Sequence, residues 1–386
     1  MRLRFSLQTN LMRSLLSIIL GLLVVGIVLK LSGFRPFEAY QALFEGATGI
    51  SSGKPVSISD RGFHIGTWDG HFSTYTFAQT LASITPLLFT GLAIALALRA
   101  GLFNIGAQGQ MAVGATMAGL VGAIGTGGAI NPVVGTLPRM IHIPLVLLAS
   151  AIAGALWGGI AGYLKAKRGV HEVLSTIMLN YVAINLTNYL VTHSLKDPNP
   201  ANMAVQTGLI AKSAWLHPLV INSNFTIGLA LALLCAVGVA FLLAFTVLGY
   251  EIRAVGLGAG SARANGIAVP RVIIKTMAIS GALAGLAGAI EVMGIHHRFL
   301  QGTAGDYGFD GIAVALLGGL NAGGITLSAV FFGALSNGAN FMQLQTNVPK
   351  TIAVVIQAII ILFVGVRFQR KLQAPSKAPQ DELESA

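Results

Sequence analysis

Apolar stretches and short polar connections alternate along nearly the whole chain. Stretches long enough to cross a bilayer as helices, roughly 17 to 25 residues, lie at about 15–31, 76–98, 143–162, 173–193, 227–248, 273–293 and 351–366. Shorter or glycine-broken ones lie near 107–125, 309–320 and 324–344. The pattern predicts an all-α, polytopic membrane protein with about ten transmembrane segments. The basic opening MRLRFSLQTNLMR and the apolar run after it resemble a secretory signal. The run is too long for an h-region, no small-x-small site follows promptly, and further spans come after it, so it reads as the first membrane helix. Residues 34–75 predict a short amphipathic helix carrying Phe37, Tyr40, Leu43 and Phe44, then a Gly/Ser loop outside the membrane. Three parts follow: residues 1–75 as N-terminal helix and extracytoplasmic loop, 76–366 as transmembrane core, and 367–386 as a cytoplasmic tail.

Two interruptions carry most of the information. GLFNIGAQGQM, Gly101 to Met111, parts one span from the next with glycines and uncharged amides, and GDYGFDGIAVALLGGLNAGG, Gly305 to Gly324, does so at the corresponding place later in the chain. Broken backbone is costly in lipid and is tolerated where it is buried in protein or lines a cavity. With both termini on one side, the span before the first break and the span before the second run in opposite senses. The halves, about 76–193 and 273–366, therefore read as inverted repeats with a pathway between them. Gly154, Gly158 and Gly162, and again Gly281 and Gly285, fall at helix-packing spacing and read as packing within the chain in preference to a dimer motif.

Composition fits this class. Of 386 residues, 54% are hydrophobic and 10% charged, and mean hydropathy is +0.75, far from a soluble domain. One cysteine, Cys235, excludes a disulfide framework and a thiolate metal site. The net charge of +11 is a topology signal: with the N-terminus inside, 15 of the 24 Lys and Arg fall on cytoplasmic segments. No basic face with interleaved aromatics suggests nucleic acid.

Patterns that suggest chemistry fail on context. GISSG at Gly49 to Gly53 lacks a preceding strand and acid and histidine partners, His171-Glu172 has Ser175 where a second zinc histidine would stand, and GLGAGSARANG follows a membrane helix where a dinucleotide loop follows a strand. Nothing supports an enzyme, and no cofactor or metal is indicated. No G-x-x-x-x-G-K-[ST] loop exists in the chain, so any ATP dependence belongs to a partner. Ion-coupled transporters carry intramembrane carboxylates or histidines. Here Glu291, Asp306 and Asp310 are the exceptions among uncharged spans, and they keep an autonomous ion-coupled transporter or channel as the alternative class.

The connection Gly249 to Arg271 offers a charged turn (Glu251, Arg253), a short helix-capable piece from Ser261 to Asn265 with Ser261 as N-cap, and Gly266 and Pro270 as stops. It suits docking on a soluble partner, and an ordinary solvated loop is the equal alternative. The amides Asn104, Gln108, Gln110 and Asn180, with Phe103 and Tyr181 as apolar walls, suit a neutral polar solute better than an anion. Amides that merely satisfy the broken backbone are the competing reading.

The same loop resembles the ATPase-coupling loop of bacterial ABC importer permeases of the ribose and branched-chain amino acid superfamily, through Arg253, Ala254, Gly256, Ala262, Arg263, Ala264, Gly266 and Ile267. FNIGAQGQM at Phe103, HEVLSTIMLNY at His171 and YGFDGIAVALLGG at Tyr307 are similar to the subgroup that imports nucleosides with a basic-membrane-lipoprotein type binding protein. The resemblance covers about Thr76 to Val366. It implies a non-catalytic permease in the bacterial inner membrane with both termini cytoplasmic. Its partners would be a cytoplasmic ATPase, a second permease subunit and an extracytoplasmic substrate-binding lipoprotein. The candidate substrate pathway comprises Phe103, Asn104, Gln108, Gln110, Asn180, Tyr181, Phe309 and Asp310, and the candidate ATPase-coupling residues are Glu251, Arg253, Ser261, Arg263, Asn265 and Gly266. The chain departs from the subgroup at GLNAGG, Gly319 to Gly324, where a polar pair followed by proline is expected, and in a longer segment from Leu195 to Phe225. A sugar or branched-chain amino acid permease is the neighbouring reading.

Overall fold

The structure, a computed structural model, describes residues 21, 23–51, 56–59, 62–65, 71–126, 137–197, 204–303, 305–352, 354–356 and 358. The tail at 367–386, expected to be cytoplasmic, most of the last expected span and the start of the first lie outside the described residues. Helix α1 covers residues 23–31. There follow α2 (Pro36–Thr48), two small antiparallel pairs made by β1 (Ile50–Ser51) with β4 (His71–Phe72) and β2 (Val56–Ser59) with β3 (Gly62–Ile65), then α3 (Thr74–Arg99), α4 (Ala107–Gly122), α5 (Arg139–Arg168) and α6 (Glu172–Thr192). The second part holds α7 (Gly228–Phe245), α8 (Val247–Leu257), α9 (Ala259–Ala264), α10 (Val269–Glu291) continued by one π turn (Val292–His296), α11 (Tyr307–Leu317) and α12 (Ala322–Thr346). The fold is predominantly helical with few strands. Among the described residues, five helices are long and apolar enough to cross a membrane: α3, α5, α7, α10 with its π turn, and α12.

Helix α3 is the centre. Of its most apolar window 83% is buried inside the protein, against 22% for α7, which stands at the periphery. Helices α10, α11 and α12 pack on α3, and α5 and α4 pack on α10. Small residues set the tightest of these approaches. A side chain at Gly154 or Gly158 would collide with the α10 backbone at Gly281 and Met277, and one at Gly114 with Gly285. The two glycine stripes therefore face each other within one chain, where close backbone approach maximises dispersion and weak Cα–H···O contacts.

The segment expected to be broken at 324–344 is instead one continuous helix, α12. Its glycines are consumed as contact surface, Gly333 against Ile84 and Gly338 against Leu43, so they do not interrupt it. Helix α2 is held to the bundle at its C-terminal end. Asn337 Nδ2 donates to Gly46 O (2.7 Å) and Thr80 Oγ1 donates to Ala47 O (2.9 Å), which pairs two carbonyls that a helix end leaves open. Phe37 and Phe44 point away from this contact and are exposed.

Candidate functional site

The two sequence breaks enter the bundle from opposite ends and meet inside it. After Arg99 the chain reverses through Gly101, which has φ +73°, and folds back beside α3. Asn104 Nδ2 donates to Ser280 Oγ (2.8 Å), and Ser280 donates to Ala93 O (2.6 Å). Ala93 lies roughly 9 Å back along α3 from Arg99 at the helical rise, so α4 begins well within the bundle. The chain approaches the second break from the far end, where Phe299 packs on Gly119 of α4. It reaches Gly308 beside Gln108, roughly 16 Å down the same helix. Helix α11 then runs back to the Arg99 end, where Arg99 Nε donates to Leu320 O (2.8 Å).

Gln108 joins the two breaks. Its Nε2 donates to Gly305 O, and its Oε1 accepts from Gly308 N (2.8 Å). Helices α4 and α11 thus meet N-terminus to N-terminus, and their positive half-dipoles converge. Asp306 at the cap of α11 and Asp310 in its first turn supply opposite charge there. Such facing half-helix ends favour electronegative groups over cations.

The other amides are equally engaged. Asn104 and Gln110 bond reciprocally (2.9 and 3.0 Å), and Asn104 Oδ1 also accepts from Gly106 N (3.0 Å). Asn180 Oδ1 accepts from Gly109 N (2.8 Å), and its Nδ2 donates to Ile105 O (2.8 Å). All four amide side chains are buried, and each bonds backbone of a broken segment or another amide that does. Phe103 is half-buried in the first break, while Phe309 and Asp310 sit on the first turn of α11 beside Gln108. Tyr181 does not join this cluster. It lies 63% exposed on the outer face of α6 with Met178 and Tyr189, opposite the face that carries Asn180. Ser280, which anchors Asn104, has no signal in the sequence beyond being a polar residue in an apolar helix.

At the Arg99 end lies the expected coupling segment, with two corrections. Glu251 and Arg253 do not form a turn; they are half-buried on α8, because Thr246 accepts from Gly249 N (3.0 Å) and starts a new helix at once. Ser261 is not an N-cap, since α9 begins two residues earlier after Gly258 and places Ser261 inside the helix. Its carbonyl accepts from Asn265 Nδ2 (2.8 Å), and Gly266 at φ +80° ends the turn. Ser261, Arg263, Asn265 and Gly266 are exposed. Gly256 of α8 lies against the Arg99 carbonyl, so α8 and α9 rest on the residue from which the first break departs. Nearby, Lys165 pairs with Glu172 (2.8 Å) just outside the apolar stretch of α6. Burial opposes the Glu172 charge, yet Lys165, assisted by the backbone and His171, holds its carboxyl below the usual range.

At the far end the segment expected only to be long forms a strap. Thr207 N, Ile210 N and Leu216 N donate to Phe299 O, His297 O and Met293 O, each at 2.9 Å, and Ala211 N donates to Gly122 O (2.7 Å). Ser213 Oγ donates to His142 Nδ1 (2.8 Å), while His142 Nε2 donates to Val121 O (3.0 Å). Trp215 stacks on His297 with centroids 3.9 Å apart. The strap covers the place where the second break enters.

The chain is similar in sequence to known transport permeases. The family model described as branched-chain amino acid transport system / permease component matches residues 76–365. A guanosine ABC transporter permease protein of Bacillus subtilis is 38% identical over 92% of this chain and 93% of its own length. A nucleoside ABC transporter permease protein of Lactococcus lactis is 34% identical over 94% and 92%. A glucose ABC transporter permease protein of Haloferax volcanii is 33% identical over 78% and 81%.

Proposed function

The chain belongs to the branched-chain amino acid transport system / permease component family, and from that footing we propose that it is the transmembrane permease subunit of an ATP-driven importer of nucleosides. The observation that carries the substrate class is the similarity, over more than nine-tenths of each chain, to permeases named for guanosine and for nucleosides. The glucose permease relative favours a sugar as the second reading; the two share a hydroxylated, uncharged solute.

The chain has no phosphate-cradling loop of its own. It works with a cytoplasmic ATPase, a second permease subunit and an extracytoplasmic substrate-binding lipoprotein, in the bacterial inner membrane with both termini cytoplasmic. About ten spans and two inverted, glycine-broken halves are the arrangement we infer. The meeting of two half-helices from opposite ends supports it.

The pathway runs past that meeting point. Asn104, Gln108, Gln110 and Asn180 hold the broken backbone in shape beside it, and Phe103, Phe309 and Asp310 flank it. Tyr181, on the outer face of α6, is placed where the second permease subunit completes the route. The ATPase acts through Glu251, Arg253, Ser261, Arg263, Asn265 and Gly266. Because Gly256 rests on Arg99 and Arg99 holds Leu320, movement of α8 and α9 reaches the first break and the end of α11 together. Nucleotide shifts the inward and outward states only through its differential affinity for them.

The test is uptake into proteoliposomes that contain the permease pair and the ATPase, with the cognate binding protein outside. Guanosine should enter with ATP present and be competed by adenosine and uridine. Uptake that follows leucine or ribose and ignores nucleosides would overturn the substrate class and leave the permease assignment standing.

A further inference from the structure

Glu291, at the last position of α10, is a buried carboxylate only 3% exposed, and unlike Glu172 it has no lysine beside it among the described residues. Its Oε2 lies 3.6 Å from His296 Nε2, and its Oε1 has no hydrogen-bond partner. An unpaired buried carboxyl oxygen is costly to keep, and in a membrane protein such a group marks a substrate or ion path. Three further features converge on it. The helix changes at Val292 to a π turn, a local widening that recurs at functional sites. Tyr307, the first residue of α11, is close enough to Glu291 to interact with it electrostatically. The strap closes this region, with Leu216 bonded to Met293 inside the π turn and Ile210 to His297 just after it.

We propose that Glu291 is a binding group for vicinal hydroxyls of the transported solute, its free Oε1 engaging the ribose 2′,3′-diol of a nucleoside as it passes between the strap and the half-helix ends. This rests on the nucleoside reading above. The chemistry fits: a carboxyl oxygen accepts from one or both hydroxyls of a neutral diol and needs no counter-charge from the ligand. The amides near the path already bond the broken backbone or one another, whereas Glu291 Oε1 has no partner among the described residues. His296 orients the carboxyl through Oε2 and leaves Oε1 for the solute.

The experiment measures ATP-dependent uptake of guanosine and of 2′,3′-dideoxyguanosine by the complete transporter with one binding protein preparation, for wild type, Glu291→Met and Glu291→Gln. The ratio of the two rates, compared between variants, cancels the preference of the binding protein. Glu291→Met should reduce the guanosine to dideoxyguanosine ratio at least about fivefold by slowing guanosine alone. Glu291→Gln, which keeps an acceptor, should fall between. Because Met also removes an unpaired buried polar atom, its thermal midpoint in detergent should equal or exceed that of wild type. An unchanged ratio, or a loss of stability with equal slowing of both solutes, overturns the proposal and leaves the nucleoside reading intact. Absence of guanosine uptake in wild type overturns both.

Discussion

Gln108 and Gly308, 200 residues apart in sequence, are joined by a 2.8 Å hydrogen bond in which the Gly308 amide donates to the Gln108 side chain. Through it the first turn of α4 and the first turn of α11 are fixed end to end.

Replacing Gln108 by Leu should therefore strand the Gly308 N–H and the Gly305 carbonyl in the interior. Each lost partner costs about 1–3 kcal/mol. Lower thermal stability of the purified permease is expected, with loss of uptake that exceeds the loss of protein in the membrane. A variant as stable as wild type would show that water or another group takes over the pairing.

The glycine contact between α5 and α10 predicts a sharp position dependence. Gly281→Val should destabilise by about 3 kcal/mol, since any side chain there runs into the Gly154 backbone. Gly159→Ala, on the same helix as Gly154 but with its nearest neighbour 4.0 Å away, should be neutral or stabilising by up to about 1 kcal/mol. Expression and thermal unfolding in detergent compare the pair, and equal effects would contradict the close approach.

Arg263→Glu reverses a charge on the exposed surface of α9. The fold should be unaffected, because Arg263 faces away from the bundle. Uptake driven by ATP, or co-purification of the ATPase, should fall severalfold. Wild-type values for both would remove α9 from the coupling surface.

The strap should loosen in mild acid. Burial holds the His297 imidazole below its ordinary value, with His217, His296 and Arg298 acting the same way and the Met293 carbonyl acting against them. With the strap freed, His297 takes up a proton at about pH 6.5, whereas with the strap docked it does so only at lower pH. Docking stability is thus complete above that pH and declines as pH falls through it toward the docked-state value. Hydrogen-exchange protection at Ile210 and Leu216, corrected for the intrinsic rate, should drop between about pH 7.5 and about pH 5.5. Constant protection would show that His297 keeps its proton count on docking.

Much of this architecture is legible in residue order, because membrane helices announce themselves by length and hydropathy. The break at Gly101 to Met111 is visible since amides and glycines cannot continue an apolar span cheaply. What the amides bond is not visible: Ser280 is 176 residues from Asn104, and Gly305 is 197 from Gln108. The continuous α12 is misread for the opposite reason, since glycines that pack and glycines that interrupt look alike until Ile84 and Leu43 are seen against them. Glu251 and Arg253 suggest a turn by charge, but the Thr246 cap decides for helix. The strap is hidden because its order comes from backbone pairing to 293–301, which leaves no mark on side-chain pattern.

The burial of α3 has a consequence for biosynthesis. Its packing partners α10, α11 and α12 begin at Val269 and end at Thr346, so they leave the ribosome on the order of 10 to 50 s after α3 at ordinary elongation rates. During that interval an apolar helix with Thr80, Thr85 and Thr90 on its surface has only lipid, the insertion machinery and the early helices for company. Insertion of this chain therefore proceeds in two stages in this fold: α3 is placed first, and α10, α11 and α12 enclose it once they are made.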